Sequence, residues 1–269
     1  MKILLLGDIM GPSGRKAIIE KLPKIIKKKE IDFVILNGEN SGDLGVGITK
    51  KNFDEFLKAG ADVITTGNHI WDEKETMEFI SSEKRLLRPE NLTKGSPGNG
   101  YGVFNAKNSK KVAVINLMGN VFMKKSEDVF KEAKKFIQNI QLKKEADFIV
   151  VDMHGEITSE KMAMGYLFDG KATMVVGTHT HVPTADYRIM EKGTAYQTDV
   201  GMCGDYMSVI GMNRENSLKK FLKDPSAKRH YPSLGEATIS GLMVTADNSS
   251  GLAKKVEPII WGKHLENRI

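Results

Sequence analysis

The feature that most constrains this chain is the alternation of short aliphatic runs with longer amphipathic segments. Five runs rich in Val, Ile and Leu occupy positions 2–6, 33–36, 62–65, 148–151 and 173–176. Uninterrupted aliphatic stretches of this length are typical of strands that are buried on both faces, as in parallel sheets. Amphipathic segments with the periodicity of helices lie between them at 13–29, 49–59, 128–140 and 159–168. Alternating strands and helices predict an α/β fold.

Two further pairs of segments predict antiparallel strands. The pairs are 101–104 with 111–117, joined by a polar turn at 105–110, and 237–244 with 256–261. Because hairpins add antiparallel strands to an otherwise parallel sheet, we predict an α/β fold in which two packed, mostly mixed β-sheets are flanked by helices. The sequence contains no repeat and no linker, so we expect a single domain over residues 1–269. The irregular stretch 187–212 is interpreted as a loop at the functional site.

Composition limits the classes of partner. The formal net charge is +6, from 40 basic and 34 acidic residues, and this mild excess suits an anionic substrate without indicating RNA, which stays open as a partner. No stretch reaches the roughly 20 apolar residues of a membrane span, so we expect no membrane partner. A single cysteine, Cys203, excludes an internal disulfide framework and favours a reducing, cytoplasmic location. Whether the chain forms a homo-oligomer stays open.

Each of the five aliphatic runs is followed by polar residues that bind metals in other proteins. In chain order these residues are Asp8, then Glu39 and Asn40, then Asn68 and His69, then His154, then His179 and His181. Because the carboxyl ends of parallel strands converge on one edge of a sheet, side chains far apart in sequence are expected to meet there. Each residue alone has an ordinary structural explanation, such as a helix cap or a turn. However, four of the six histidines lie at strand ends, and independent capping roles do not explain that pattern.

The chemistry of this set favours transition metals. Imidazole, carboxylate and carboxamide groups together suit Fe or Mn, with Zn also compatible, and they argue against a thiolate site. Because so many ligands exceed the needs of one ion, we expect two divalent or trivalent ions that share a bridging carboxylate, roughly 3.5 to 4 Å apart. Asp8 and Glu39 are the two anionic ligands, so two divalent ions keep about two positive charges. Such a centre favours phosphate esters as substrates.

The same residues resemble a known family. The ordered motifs Gly7-Asp8, Gly38-Glu39-Asn40, Gly67-Asn68-His69, His154 and Gly177-Thr178-His179-Thr180-His181 are similar to those of the calcineurin-like metallophosphoesterases. Most of that superfamily has a histidine at the position of Met10 and an aspartate at that of Glu39. These two departures resemble the bacterial branch of 2′,3′-cyclic-nucleotide 2′-phosphodiesterases. The similarity continues through residues 45–49, 199–202 and 208–212, and it covers nearly the whole chain.

The resemblance implies a fold and a set of roles. The family's fold is an α-β-β-α sandwich, in agreement with the mixed pattern of strands. By position, the first metal is expected at Asp8, Asn40 and His181, the second at Asn68, His154 and His179, and Glu39 is expected to bridge them. His69 is expected to be the general acid. The implied reaction is attack of a metal-bridging hydroxide on a 2′,3′-cyclic nucleotide, with 3′,5′-cyclic nucleotides as further candidate substrates.

One segment departs from the branch, which usually carries Thr-Gly-Pro where this chain has Cys203, Gly204 and Asp205. We expect Asp205 to face solvent or to cap the following turn, and Cys203 to be a small buried residue. Two alternatives to a cyclic-nucleotide phosphodiesterase stay open. The first is a phosphomonoesterase that acts on nucleotides or proteins. The second is a metal-binding nucleotide or RNA sensor whose hydrolysis is incidental. For His69, the alternative role is a hydrogen bond to a metal ligand.

Overall fold

The computed structural model describes residues 1–107 and 109–269. The helices within these residues are α1 (Gly11–Lys29), α2 (Lys50–Ala59), α3 (Thr76–Phe79), α4 (Val129–Asn139), α5 (Thr158–Phe168) and α6 (Arg214–Phe221). The strands are β1 (Lys2–Leu6), β2 (Asp8–Ile9), β3 (Phe33–Asn37), β4 (Val63–Thr65), β5 (Tyr101–Asn105), β6 (Lys111–Met118), β7 (Phe148–His154), β8 (Met174–Thr178), β9 (Arg188–Ile189), β10 (Ala195–Gln197), β11 (Met202–Cys203), β12 (Ile239–Ala246) and β13 (Ala253–Trp261).

The strands form two mixed sheets and a short ribbon. The first sheet has the order β13-β12-β1-β3-β4, and β1, β3 and β4 are parallel to one another. The second sheet has the order β5-β6-β7-β8-β10-β9, with β6, β7, β8 and β10 parallel. Both predicted hairpins exist, and they supply the antiparallel pairs β5/β6 and β12/β13. The ribbon pairs β2 with β11, so that Asp8 lies beside Met202.

Side-chain alternation along the strands produces a four-layer arrangement. Between the two sheets lie Ile3, Leu5, Phe33 and Ile35 of the first sheet and Val112, Val114, Phe148 and Val150 of the second. The opposite face of the first sheet, with Leu4, Leu6, Val34 and Leu36, packs against apolar residues of α1 and α2. The outer face of the second sheet, with Ile115, Ile149 and Val151, packs against α4 and α5. The predicted fold of two mixed sheets flanked by helices is therefore confirmed.

Several local predictions need correction. The five aliphatic runs are divided between the two sheets, with the first three in one sheet and the last two in the other. The fourth run extends to His154, which therefore ends β7 instead of following it. The stretch 187–212 contains β9, β10 and β11 and is not a continuous loop. The predicted turn at 105–110 includes residue 108, which lies outside the described residues.

The bounds of α2 agree with the helix predicted at 49–59. Thr49 caps the helix, since its side chain accepts a hydrogen bond from the backbone N–H of Asn52 at 3.1 Å. Gly60 ends it with a left-handed backbone, φ +109°, which favours glycine.

Among the described residues, no helix has both the length and the apolar character that are needed to cross a membrane.

Candidate metal centre

The predicted ligands lie at the carboxyl ends of strands from both sheets. Asp8 forms β2 directly after β1, Glu39 and Asn40 follow β3, and Asn68 and His69 follow β4, all in or beside the first sheet. His154 is the last residue of β7, and His179 and His181 follow β8 in the second sheet. The two sheets are packed face to face, so their carboxyl ends meet at one end of the sandwich. This is the region where ligands bind in α/β folds.

One group of donor atoms surrounds the Nε2 atom of His154. This atom lies 3.0 Å from Glu39 Oε1, 3.0 Å from Asn68 Oδ1 and 3.1 Å from His179 Nδ1. Donor atoms of Glu39, His154 and His179 all lie within 4.8 Å of one another. The structure thus brings together the three residues expected at the second metal and the expected bridging carboxylate.

A second group surrounds the Nε2 atom of His181. This atom lies 3.2 Å from Asn40 Oδ1 and 3.8 Å from Asp8 Oδ1. The backbone N–H of His179 donates to Asp8 Oδ2 at 3.1 Å and so joins the second group to the first. Asp8, Asn40 and His181 are therefore also brought together, as expected for the first metal.

The second carboxylate oxygen of Asp8 supports metal binding. Asp8 is fully buried, and among the described residues its Oδ1 atom has no hydrogen-bond partner. A buried, unsatisfied polar atom costs about 1–3 kcal/mol, and more when it is charged. A cation between Asp8 and its neighbours would remove this cost. The donor atoms present, which are oxygen and nitrogen without thiolate, fit transition metal ions.

Burial and neighbouring charges shift the pKa values of the residues in the donor cluster. Burial raises the pKa of Asp8 to about 6. Burial opposes ionisation of Glu39 as well, but the adjacent imidazoles, above all that of His154, outweigh it and lower the pKa of Glu39 to about 2. Against the effect of burial, Glu39 raises the pKa of His154 to about 9. His154 is therefore protonated at neutral pH and offsets part of the negative charge of the buried carboxylates.

His179 has the opposite protonation. Burial, together with the nearby His154, lowers the pKa of His179 to about 3. Its ring is neutral at neutral pH, which is the state that a metal ligand requires. Its Nδ1 atom faces His154, and its Nε2 atom lies 3.2 Å from Glu156 Oε2 at the protein surface.

Hydrogen bonds to the outward nitrogens fix the orientation of two imidazoles. Nδ1 of His181 donates to the carbonyl of Ile210 at 2.7 Å, which directs Nε2 toward Asp8 and Asn40. Nδ1 of His154 donates to Thr178 Oγ1 at 2.9 Å, and this hydroxyl donates to Asp152 Oδ1 at 2.7 Å. Such outer partners set the tautomer of metal-binding histidines.

Asp152 was missed in the sequence. It is fully buried in β7, and its Oδ2 atom accepts hydrogen bonds from Thr65 Oγ1 at 2.5 Å and Asn37 Nδ2 at 3.2 Å. Burial raises the pKa of Asp152. The signal that would have identified it is a carboxylate inside an otherwise apolar strand, two positions before His154, because a buried carboxylate needs partners.

The loop that carries His179 and His181 has an unusual backbone. Both histidines have left-handed conformations, with φ +98° and φ +66°, which are strained for residues with side chains. Thr180 between them donates from its backbone N–H and its hydroxyl to Asp199 Oδ2, at 3.1 and 2.8 Å. The same oxygen accepts from Lys161 Nζ at 2.7 Å, and this ion pair is almost completely buried. The pair therefore supports a strained loop, a role that the sequence did not predict.

Gly67 permits the close approach of the ligands. A Cβ atom at this position would lie 2.2 Å from both Glu39 Oε2 and His154 Nε2. Because no side chain fits in that space, any substitution of Gly67 would displace Glu39 or His154. This requirement accounts for the glycine directly before Asn68.

His69 lies at the edge of the donor cluster and is paired with a carboxylate. Its backbone N–H donates to Glu39 Oε2 at 3.1 Å, and its ring Nδ1 lies 2.6 Å from Asp72 Oδ2. The side chain is 30% exposed and lines a cleft of 240 Å³ over the donor cluster. Asp72 was missed in the sequence, where the available signal was a carboxylate three residues after a candidate general acid. Larger cavities of 680 and 380 Å³ elsewhere contain none of the predicted site residues.

Residues 203–205, which depart from the sequence pattern of the similar phosphodiesterase branch, lie outside the cleft. Asp205 is buried and accepts hydrogen bonds from the backbone N–H of Met207 at 2.8 Å and from Ser233 Oγ at 2.6 Å. It caps the following turn as predicted, and the alternative of a solvent-facing carboxylate is wrong. Cys203 is buried as expected, and burial raises the pKa of its thiol to about 12, so it is not a nucleophile.

Comparison with known proteins agrees with the fold and with the motifs. The sequence profile described as YmdB-like protein matches residues 4–259. A 2′,3′-cyclic-nucleotide 2′-phosphodiesterase of Bacillus subtilis (strain 168) is 44% identical over 260 residues, which cover 97% of each chain.

Two solved structures of relatives superimpose closely. A hypothetical protein from Thermus thermophilus gives a TM-score of 0.88 at 34% identity and covers 98% of this chain and 100% of its own. A phosphatase from Mycoplasma pneumoniae gives a TM-score of 0.89 at 38% identity, with coverages of 97% and 93%. These relatives confirm the predicted metallophosphoesterase-type fold and the predicted class of enzyme, a hydrolase of phosphoric esters. The chain belongs to the YmdB-like protein family.

Proposed function

We propose that this protein is a phosphodiesterase that depends on two metal ions and hydrolyses 2′,3′-cyclic nucleotides, with 3′,5′-cyclic nucleotides as further substrates. The observation that carries the proposal is the buried Oδ1 atom of Asp8, which has no hydrogen-bond partner among the described residues and lies among converging nitrogen and oxygen donors. The similarity to the B. subtilis enzyme supports the choice of substrate. The donor set favours Fe or Mn, with Zn as a third candidate.

The proposed ligands divide into two groups joined by one carboxylate. Asp8, Asn40 and His181 would hold the first ion, and Asn68, His154 and His179 the second. Glu39 would bridge them, since its Oε1 atom contacts His154 and its Oε2 atom faces the backbone of His69. Transition metal ions at such a site polarise phosphoryl oxygens and lower the pKa of water. The buried residues would thus hold the two ions whose positive charge the hydrolysis requires.

His69 would supply the proton for the departing alkoxide, which is a poor leaving group without one. The ring Nδ1 of His69 lies 2.6 Å from Asp72 Oδ2, and the side chain lines the cleft. This contact would orient the ring so that Nε2 remains for the departing oxygen.

The proposal is tested by measuring metal content and turnover on the same sample. Protein purified without chelator is expected to contain two transition metal ions per chain, measured by elemental analysis. It is expected to convert a 2′,3′-cyclic nucleotide to the nucleoside 3′-phosphate faster than it hydrolyses 2′- or 3′-mononucleotides. Faster hydrolysis of mononucleotides would indicate a phosphomonoesterase, and tight binding without repeated turnover would indicate a sensor. Absence of the two metals from active protein would overturn the proposal.

The proposal also includes a domain organisation and a cellular location. Residues 1–269 would form one domain, because a continuous buried cluster joins strands from both ends of the chain, among them Leu5 and Val244. The protein would act in the cytoplasm, a location that the single buried cysteine favours.

A further inference from the structure

A carboxylate outside the predicted ligand set lines the cleft. Glu156 lies in the loop between β7 and α5, and its side chain is 49% exposed. Its Oε2 atom is 3.2 Å from His179 Nε2, while the other nitrogen of that ring faces His154. Glu156 shares the 240 Å³ cleft with His69 and with the donor cluster. Its charge therefore lines the proposed substrate cleft, on the side of His179 that faces away from the proposed metals.

No basic side chain compensates this charge inside the cleft. The described residues that line it are Glu39, Asn40, His69, Glu156, His179, Thr180, His181, Ile210 and Met212, and they include neither lysine nor arginine. Lys161, which is buried, is already paired with Asp199. Enzymes that bind phosphate dianions commonly use arginine for their bidentate contacts. This cleft instead places a second carboxylate at its mouth.

The charge balance distinguishes two classes of phosphate ester. Two divalent ions opposed by Asp8 and Glu39 would keep about two positive charges, and Glu156 reduces this to about one. A cyclic phosphodiester carries one negative charge. A phosphate monoester carries about 1.5 to 2 negative charges at neutral pH, since its second pKa is about 6. The cleft therefore matches the charge of a diester better than that of a monoester.

We propose that Glu156 is a specificity-determining residue that disfavours phosphate monoesters relative to phosphodiesters. This inference rests on the proposed phosphodiesterase function and deepens it. Because the product of diester hydrolysis is itself a monoester, the same repulsion also favours product release. Glu156 would thus limit both the use of mononucleotides as substrates and inhibition by the nucleotide product.

The test compares variants that change charge with variants that keep it. Glu156→Gln removes the charge with little change of shape, Glu156→Asp keeps the charge, and Glu191→Gln removes the same charge from an exposed position outside the cleft. Kinetic constants are measured at one pH for a 2′,3′-cyclic nucleotide and for a 3′-mononucleotide. Equilibrium binding of inorganic phosphate to the metal-loaded proteins is measured by calorimetry. Metal content is measured for every sample.

For Glu156→Gln, we expect the ratio of kcat/KM for the diester to that for the monoester to fall roughly 3- to 10-fold. The change should come mainly from a lower KM for the monoester, and phosphate should bind tighter by a similar factor. Raising the salt concentration should reduce the difference, because the carboxylate is exposed. Glu156→Asp and Glu191→Gln should keep the wild-type ratio.

The outcomes separate this inference from the function on which it rests. If Glu156 serves only to hold His179, the Gln variant will lose metal, or lose activity on both esters equally, and the ratio will not move. That result, or unchanged phosphate binding, overturns the inference. If metal-loaded wild-type protein hydrolyses no diester, the proposed function fails, while the phosphate titrations still report whether Glu156 repels a dianion.

Discussion

The buried donor cluster and the exposed edge of the cleft differ in how their side chains are held. Asp8, Glu39 and His154 are at most 1% exposed. In contrast, His69 and Glu156 are 30% and 49% exposed. The buried residues hold charges that are costly without a cation, whereas the exposed residues contact a cleft that is open to solvent.

This difference suggests a division of tasks. The buried cluster would fix the ions, and the edge would supply the proton and select the charge of the substrate. Substitutions in the two regions should therefore have separable effects on metal content and on turnover.

Glu39→Gln should abolish both metal binding and turnover. Glu39 contacts His154 through Oε1 and the backbone of His69 through Oε2, so a neutral amide there would weaken both proposed ion sites. Since each ion contributes several kcal/mol to transition-state stabilisation, we expect turnover to fall at least about 10⁴-fold. Elemental analysis and steady-state kinetics measure the two effects. Glu191→Gln, which is exposed, is the control, and a Glu39→Gln protein with two bound metals would contradict the bridging role.

His69→Ala should reduce turnover, which depends on the edge of the cleft, without changing metal binding by the buried donor cluster. Its ring lies outside the donor cluster, so the variant is expected to keep both metals while turnover of a cyclic nucleotide falls about 10²- to 10⁴-fold, as for a lost general acid. Asp72→Asn should have a smaller effect in the same direction, because the imidazole remains. His230→Ala, at an exposed position, is the matched control. Unchanged turnover in His69→Ala would remove this residue from the mechanism.

The sequence alone predicted the candidate metal ligands at the ends of the strands. It did not predict the buried residues that support the loops carrying these ligands. Asp8 and His179 could be identified because each closely follows a short aliphatic run, and that contrast is local. Lys161 and Asp199 are 38 residues apart, and neither has a local pattern that indicates burial. The separation of the five runs into two sheets also depends on packing of distant segments. Contacts of this kind are set by tertiary structure, which residue periodicity does not describe.

Lys161→Met should destabilise the fold and loosen the loop that carries His179 and His181. Removing one partner of a buried ion pair leaves the other charge unpaired, which typically costs about 3–5 kcal/mol in the free energy of unfolding. Metal affinity should fall about 10- to 100-fold, as when an outer partner of a ligand is lost. Urea denaturation and metal titration measure these changes. Lys135→Met breaks the exposed pair with Glu132 and should cost less than about 1 kcal/mol. Equal losses in the two variants would show that the buried pair has no special role.

Proton release on metal binding is expected to have a smaller effect than these substitutions. In the metal-free protein, Glu39 raises the pKa of His154 to about 9, so His154 carries a proton at neutral pH. A metal ligand must be deprotonated, and binding of an ion is therefore expected to release about one proton from this residue. Metal affinity should therefore rise as the pH increases from about 7, by at most tenfold per pH unit. It should level off above the pKa of His154.

Calorimetric metal titrations at pH 7, in buffers with different ionisation enthalpies, would count the protons released. Metal affinity that does not change between pH 7 and pH 9 would show that His154 is already neutral in the metal-free protein. The Oδ1 atom of Asp8, which has no hydrogen-bond partner among the described residues, would then be the main group that a bound cation stabilises.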